Sequence, residues 1–270
     1  MKKISAIIIC SLWVIIARAD WPIGKKRSII IPTYTYFVSS GFYNSNYELE
    51  KFKTGEKFVS HLYGLFLGHG ISRRLDAVVN MPYVVQSLNL GGVNQTNAGF
   101  GDMMVGLAYH FPNEELKRYF TIKAMAIIPA YQNNKVPYLG YGEQGVQLVA
   151  NYSFNPSDYS FCILELIHNR YYSNPQGPNQ FIYNATWGKS LNNVGFFTIN
   201  MSHLNSYSAD KTFTQNFSFN RDFMYGKVSV GLGRRVTRVL TANLQLFHTI
   251  YGRSAGFGGG GGLFLIARIP

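Results

Sequence analysis

Seven ionisable residues, Asp76, Asp102, Lys123, Glu165, Lys227, Arg235 and Arg268, fall on the polar phase of segments in which apolar and polar side chains alternate. They are scattered along the chain, so they form no local catalytic dyad or metal-ligand motif. Brought together along the inside of a closed wall, they would select small solutes by charge and size. The expected constriction consists of Asp76, Asp102, Lys123 and Glu165. The alternative is structural ion pairs that fill the interior. Other chemistry is thinly represented: Gly256 and the run Gly258 to Gly262 lack the Lys-Ser/Thr that completes a phosphate loop, and read as a flexible external loop entering the last strand. Several Asn-x-Ser/Thr matches, including Asn151-Tyr152-Ser153 and Asn184-Ala185-Thr186, lie inside expected strands and are discounted as glycosylation sites.

The elements that must position these residues follow from composition and period. Of 270 residues only 14% are charged, against roughly 25% in soluble domains, while 16% are aromatic. This excludes intrinsic disorder, and two cysteines exclude a disulfide scaffold. Met1-Lys2-Lys3, the apolar run from Ile4 to Ile16 and Ala17-Arg18-Ala19 make residues 1–19 a secretory signal peptide, leaving 20–270 as the mature domain. Removing Lys2, Lys3 and Arg18 leaves 22 basic against 13 acidic residues, a net of +9, with Cys162 as the remaining thiol. No cofactor or metal is expected.

No apolar stretch beyond residue 19 is long enough for a spanning helix. Strict alternation recurs instead. Met103, Val105, Leu107, Tyr109 and Phe111 share one face, and Asp102, Met104, Gly106, Ala108 and His110 the other. The same phase appears at Val146 to Phe154, Phe181 to Trp187 and Leu240 to Leu246. The polar face carries Ser, Thr, Asn, Gln and Gly rather than Lys and Glu, and the segments are longer than the usual strand of about 5 to 6 residues. Tyr34 and Tyr36, Tyr109 and Phe111, Tyr152 and Phe154, Tyr171 and Tyr172, and Phe247 and Tyr251 are candidate interface aromatics. Long strands with one greasy and one polar face predict an all-β transmembrane antiparallel up-and-down barrel.

Strands are expected near 29–40, 57–68, 73–85, 99–111, 118–130, 144–155, 159–172, 179–191, 194–206, 223–236, 238–250 and 259–269, twelve in all. Connections at 69–72, 112–117, 156–158, 192–193 and 237 are short and belong on the periplasmic side; those at 41–56, 86–98, 131–143 and 207–222 are long and face outward. Phe213, Phe217 and Phe219 alternate within the last of these and could make a thirteenth strand.

Three segments carry a family resemblance. Gly99-Phe100-Gly101-Asp102 through Tyr109-His110-Phe111, the turn and strand from Ile71 to Pro82-Tyr83-Val84, and Ile127-Ile128-Pro129 followed by Gly142 to Phe154 resemble the outer-membrane barrel family named for the MetA pathway of phenol degradation. The resemblance covers roughly 57–155. It implies an outer-membrane channel or transporter, and carries over no catalytic residue. Many outer-membrane barrels end in Phe or Trp; here the last residue is Pro270.

The expected function is passive diffusion of small solutes, aromatic or hydrophobic compounds among them, through a narrow polar lumen, with no enzymatic activity. The expected location is the outer membrane. A structural or adhesive barrel without transport is the alternative. A phospholipase is the third reading, but Ser202-His203-Leu204-Asn205-Ser206 lacks the His-x-Ser-Asn-Gly order of such enzymes, and no calcium-type carboxylate cluster accompanies it. The expected partners are outer-membrane lipids and lipopolysaccharide, the barrel-assembly machinery and a small-molecule solute, with no nucleic acid. Lys25-Lys26-Arg27, Arg73-Arg74 and Arg234-Arg235 lie near periplasmic ends, where basic side chains reach lipid phosphates.

Overall fold

The computed structural model describes residues 21–172, 177–191, 195–215 and 220–270. The segment 1–19 expected to be a signal peptide, the turn expected at 192–193 and Phe217 and Phe219 lie outside them. Among the described residues there are fourteen antiparallel strands: β1 (Ser28–Tyr43), β2 (Leu49–Lys51), β3 (Lys57–Gly70), β4 (Leu75–Leu90), β5 (Val93–Phe100), β6 (Asp102–Pro112), β7 (Arg118–Pro129), β8 (Gly145–Ser157), β9 (Ser160–Tyr171), β10 (Asn179–Ser190), β11 (Gly195–Tyr207), β12 (Phe223–Arg235), β13 (Leu240–Arg253) and β14 (Ala255–Ile269). Strands pair in chain order around the wall, with β3 passing β2 to pair with β1 and β6 passing β5 to pair with β4, and β14 returns to β1 along nearly their whole length, closing the sheet. The wall has twelve strands. β2 only extends the end of β1, and β5 and β6 run as one strand against β4, interrupted at Gly101.

Closure removes the edges that an open sheet would expose, which is the condition for strands to cross lipid. The thirteen residues of β12, at about 3.3 Å each and a tilt of about 40°, rise about 33 Å, enough for a bilayer core. The pleat separates two solvents. Val105, Leu107, Phe120, Leu148, Leu164, Tyr183, Met201, Leu232 and Leu246 are exposed on the outer wall, whereas Thr121, Asn151, Ser153, Ser206 and Ser229 are buried on the inner one.

Short turns follow local side-chain chemistry. The Ser72 hydroxyl accepts from the Arg74 and Leu75 N–H groups, Asn113 Oδ1 from those of Lys117 and Arg118, and Thr237 Oγ1 from that of Leu240. The chain start, these turns and the C-terminus share the end read as periplasmic.

Three expectations change. Residues 86–98 are a hairpin rather than a loop: Gly91 and Gly92, with φ of 58° and 79°, supply the two positive-φ positions of a tight turn between β4 and β5. The glycine run lies inside β14 rather than in a loop, paired on both sides; a Cβ at Gly258 or Gly260 would lie within 2.0 Å of the Val38 or Tyr36 carbonyl oxygen. Tyr171 and Phe247 point into the lumen rather than to the lipid interface, because both sit on the polar phase of their strands. Residues 208–215 form no strand, so the wall is not enlarged there.

Candidate functional site: the barrel lumen

Strand alternation turns all seven sequence-derived charges inward, but the register distributes them over three levels instead of one ring. Asp76 pairs with Ala108 and contacts His110, whereas Asp102 begins the same strand β6, about 20 Å along it from Ala108.

The periplasmic level is built on Asp76, 2% exposed. Its Oδ2 accepts from the backbone N–H of Ile23 at 3.0 Å and lies 2.8 Å from His110 Nε2. His110 Nδ1 lies 2.9 Å from the Thr121 hydroxyl. Ile23 belongs to a segment that folds back into the mouth. Lys26 N–H donates to the Gly70 carbonyl and Gly70 N–H to that of Arg27, while Trp21 packs edge-on against Tyr119 with ring centroids 5.9 Å apart. Trp21, Tyr119, Phe161 and Ile163 form an apolar cluster inside the barrel. Above it a cavity of about 680 Å³ is lined by Asp76, His110, Lys123, Glu165 and Arg268. Arg235, on the inward phase with Gly231 and Gly233, ends β12 at this same end.

Between the two ends a polar row climbs the inner wall with the strand tilt, from Thr121 beside His110 upward. Thr121, Asn151, Glu165, Asn184, Ser202, Lys227 and Thr249 stand opposite one another across β7 to β13. Lys123 Nζ lies 4.0 Å from a Glu165 carboxylate oxygen, and Asn184 Nδ2 donates to the other at 2.9 Å. Lys227, about 14 Å from Glu165 at the sheet spacing, lies 5.1 Å from the centre of the Phe247 ring.

The extracellular level is made by loops. Tyr131, on the loop 130–144, donates to Asp102 Oδ1 at 2.7 Å and accepts from Gly142 N–H at 2.8 Å. Tyr171 reaches Asp102 Oδ2 at 3.4 Å. Burial and the nearby Asp102 charge push the Tyr131 hydroxyl far up, and burial does the same to Tyr141, so both remain neutral donors. Tyr141 accepts from Gln180, the third member of a ladder in which Gln147 donates to Asn169 and Asn169 to Gln180. Arg221 Nη1 lies 2.8 Å from Glu143 Oε1 and its guanidinium stacks over Tyr141 at 5.7 Å. Asp222 is bound by Lys211 and by Arg253, the latter at 2.5 Å. Burial raises its carboxyl, but these two cations and the Ser208 N–H outweigh that and hold it below the ordinary range.

Sequence reasoning missed the plug and the loop residues. Trp21, Tyr131, Tyr141 and Arg221 lie outside the alternating strands, and the one available signal was the density of Tyr and Gly at 131–142. Ser202 and His203 project to opposite faces of β11: Ser202 stands in the polar row, while His203 meets the Tyr251 hydroxyl on the outer wall at 2.9 Å. They therefore cannot act as nucleophile and base.

The fold is shared with known outer-membrane barrels. An outer membrane channel from Pseudomonas putida F1 superposes with a TM-score of 0.78 at 13% identity, covering 94% of this chain and 100% of that one. The NanC porin gives 0.55 at 8% identity over 88% and 98%, and the beta domain of the Bordetella autotransporter BrkA 0.50 at 10% over 90% and 99%. Such identities establish likeness of fold. No protein of curated function matches the sequence. The family model described as "Putative MetA-pathway of phenol degradation" matches residues 59–265, and the chain belongs to that family.

Proposed function

We propose that this protein is an outer-membrane channel for passive diffusion of small solutes, and not an enzyme. The observation that carries the reading is the inner wall. A closed barrel that buries hydroxyls, amides and charges inside, and holds a cavity of about 680 Å³ lined by Asp76, Lys123, Glu165 and Arg268, is built to present polar surface to a permeant. Lys123 and Glu165 are the selectivity pair at mid-lumen, with Lys227 further round the same wall; Asp102 acts at the outer end, and Arg235 and Arg268 at the periplasmic one. A signal peptide, membrane assembly by the barrel machinery, and contact of Arg73, Arg74 and Arg234 with anionic lipid or lipopolysaccharide complete the reading; nucleic acid has no place in it. The family match and the fold shared with an outer membrane channel support it.

One observation favours the alternative of a structural or adhesive barrel: the Trp21 segment narrows one end and the Tyr131–Tyr141 loop the other. Conductance of the refolded protein in a planar bilayer separates the two. Discrete steps whose ion selectivity changes in Lys123→Ala or Glu165→Ala support the channel; a folded but silent barrel supports the alternative.

A further inference from the structure

We propose that the lumen contains a binding site for a small aromatic monocarboxylate, formed by Lys227 within a box of rings, Phe37, Phe58, Phe223, Tyr225 and Phe247. It rests on the channel reading and names its solute class. These side chains line a cavity of about 260 Å³, smaller than the roughly 300–1,000 Å³ of drug-sized pockets and suited to one ring with a short polar arm.

The walls are aromatic on several sides. Phe37 meets Phe247 with centroids 6.3 Å apart and planes 14° from parallel, and meets Phe58 at 6.3 Å and 59°. Phe223 and Tyr225 lie 6.3 Å apart at 12°. A guest ring therefore finds both faces and edges, the two geometries in which rings attract one another. The space exists because β14 contributes glycine between β1 and β13: Gly260 is the register partner of both Phe37 and Phe247.

The charge has no counterpart. Lys227 stands between Ser202 and Thr249 in the ladder, both neutral, and no ion pair among the described residues includes it. Glu165, three strands away, is engaged with Lys123 and Asn184. Among the described residues, the Lys227 ammonium meets the face of the Phe247 ring. A part-buried lumen cation with no anion against it attracts one, and a ligand carboxylate supplies the missing charge. A single ammonium fits a monoanion; a dianion would need a second cation. Aliphatic acids would satisfy Lys227 but not the rings, and neutral aromatics the rings but not Lys227.

The test is calorimetric titration of the full mature barrel in detergent with benzoate, cyclohexanecarboxylate, benzyl alcohol and acetate. Benzoate should saturate, and each of the others should bind at least about tenfold more weakly. Lys227→Met should abolish the preference for benzoate over benzyl alcohol, and Phe247→Leu the preference over cyclohexanecarboxylate, with folding checked by unheated gel mobility. No saturable benzoate binding, or no discrimination in the series, overturns the site. So does benzoate binding unchanged in folded Lys227→Met. Should both variants misfold, the ligand series on the unaltered protein decides. Binding in detergent needs no open pore, so a silent bilayer with intact benzoate binding defeats the channel reading and leaves the site standing; conduction without binding does the reverse.

Discussion

Phe37 on β1 and Phe247 on β13 stack across the intervening strand, 6.3 Å apart, above the one residue that pairs with both, Gly260. Two strands separated by a third do not normally bring side chains together at this distance, since neighbouring strands lie about 4.8 Å apart and the middle strand's own side chain fills the gap. Glycine removes that side chain. The seam that closes the barrel and the wall of the aromatic box are therefore one feature.

Gly260→Val should accordingly fail at closure. A Cβ at Gly260 would lie 1.8 Å from the Tyr36 carbonyl oxygen and 3.0 Å from the Phe247 ring, so the strand must move. Overpacking of this kind costs about 1–3 kcal/mol or more. Folded yield, read as the heat-sensitive gel shift, should fall well below that of Gly261→Ala, whose nearest neighbours lie beyond 3 Å. Equal yields would show that the glycine is dispensable to the seam.

The strands were legible because each face meets a different solvent, and alternation records that difference residue by residue. Where both faces meet water the record disappears: Asn94, Gln95 and Thr96 of β5 are all exposed, so the hairpin looked like a loop. Glycine carries no face at all, which hid the start of β14 and made the run before the expected 259–269 strand read as a loop. Phe247 satisfied two rules that disagreed, an aromatic near a strand end and an inward phase, and the phase prevailed. For the lumen, phase identified which charges turn inward, but their levels depend on register between strands far apart in sequence. That is why Asp76 and Asp102 separate to opposite ends. The plug and loop residues lie in segments with no period to read.

Tyr131→Phe tests the outer closure. The substitution takes one donor from the part-buried Asp102, a loss of about 1.5–3 kcal/mol for a bond to a charged group, and hands the exposed Gly142 N–H to water. Tyr171 keeps its weaker contact with Asp102, so the barrel should remain folded while the loop 130–144 loosens. Hydrogen exchange should show faster exchange at Gly142 than in the parent protein. Unchanged protection would mean that the hydroxyl does not hold the loop.

Asp222 sets a pH dependence for the loop 208–222. Its carboxyl is held below the ordinary value of about 3.9, so its contribution is present above that value and is lost as pH falls through the lower folded one. A fluorophore on Thr212→Cys, with Cys162→Ser, should keep constant anisotropy from neutral pH to about 4 and lose it below. Asp222→Asn should show the low anisotropy already at neutral pH, having lost its charged bonds to Lys211 and Arg253. A transition near neutrality would assign the effect to another group.

Asp76 and Trp21 together test the inner closure. Asp76 Oδ2 receives both the Ile23 N–H and His110, and Trp21 is buried against Tyr119 and Phe161 two residues before Ile23. Losing the carboxylate leaves the buried His110 without its partner, a cost of about 1–3 kcal/mol, and releases the part-buried Ile23 N–H, while losing the indole removes about 3–5 kcal/mol of packing. Neither touches the strand ladder, so the released part should be the segment and not the barrel. In residues 20–270 with Trp187→Phe, Trp21 is the sole indole; Asp76→Ala should red-shift its emission and open it to iodide quenching. Asp76→Asn, which keeps an acceptor for Ile23, should lie between the two. If the segment is the inner gate, single-channel conductance should rise in Asp76→Ala and Trp21→Ala alike. A freed indole with unchanged conductance would place the limiting constriction at the Asp102–Tyr131 end.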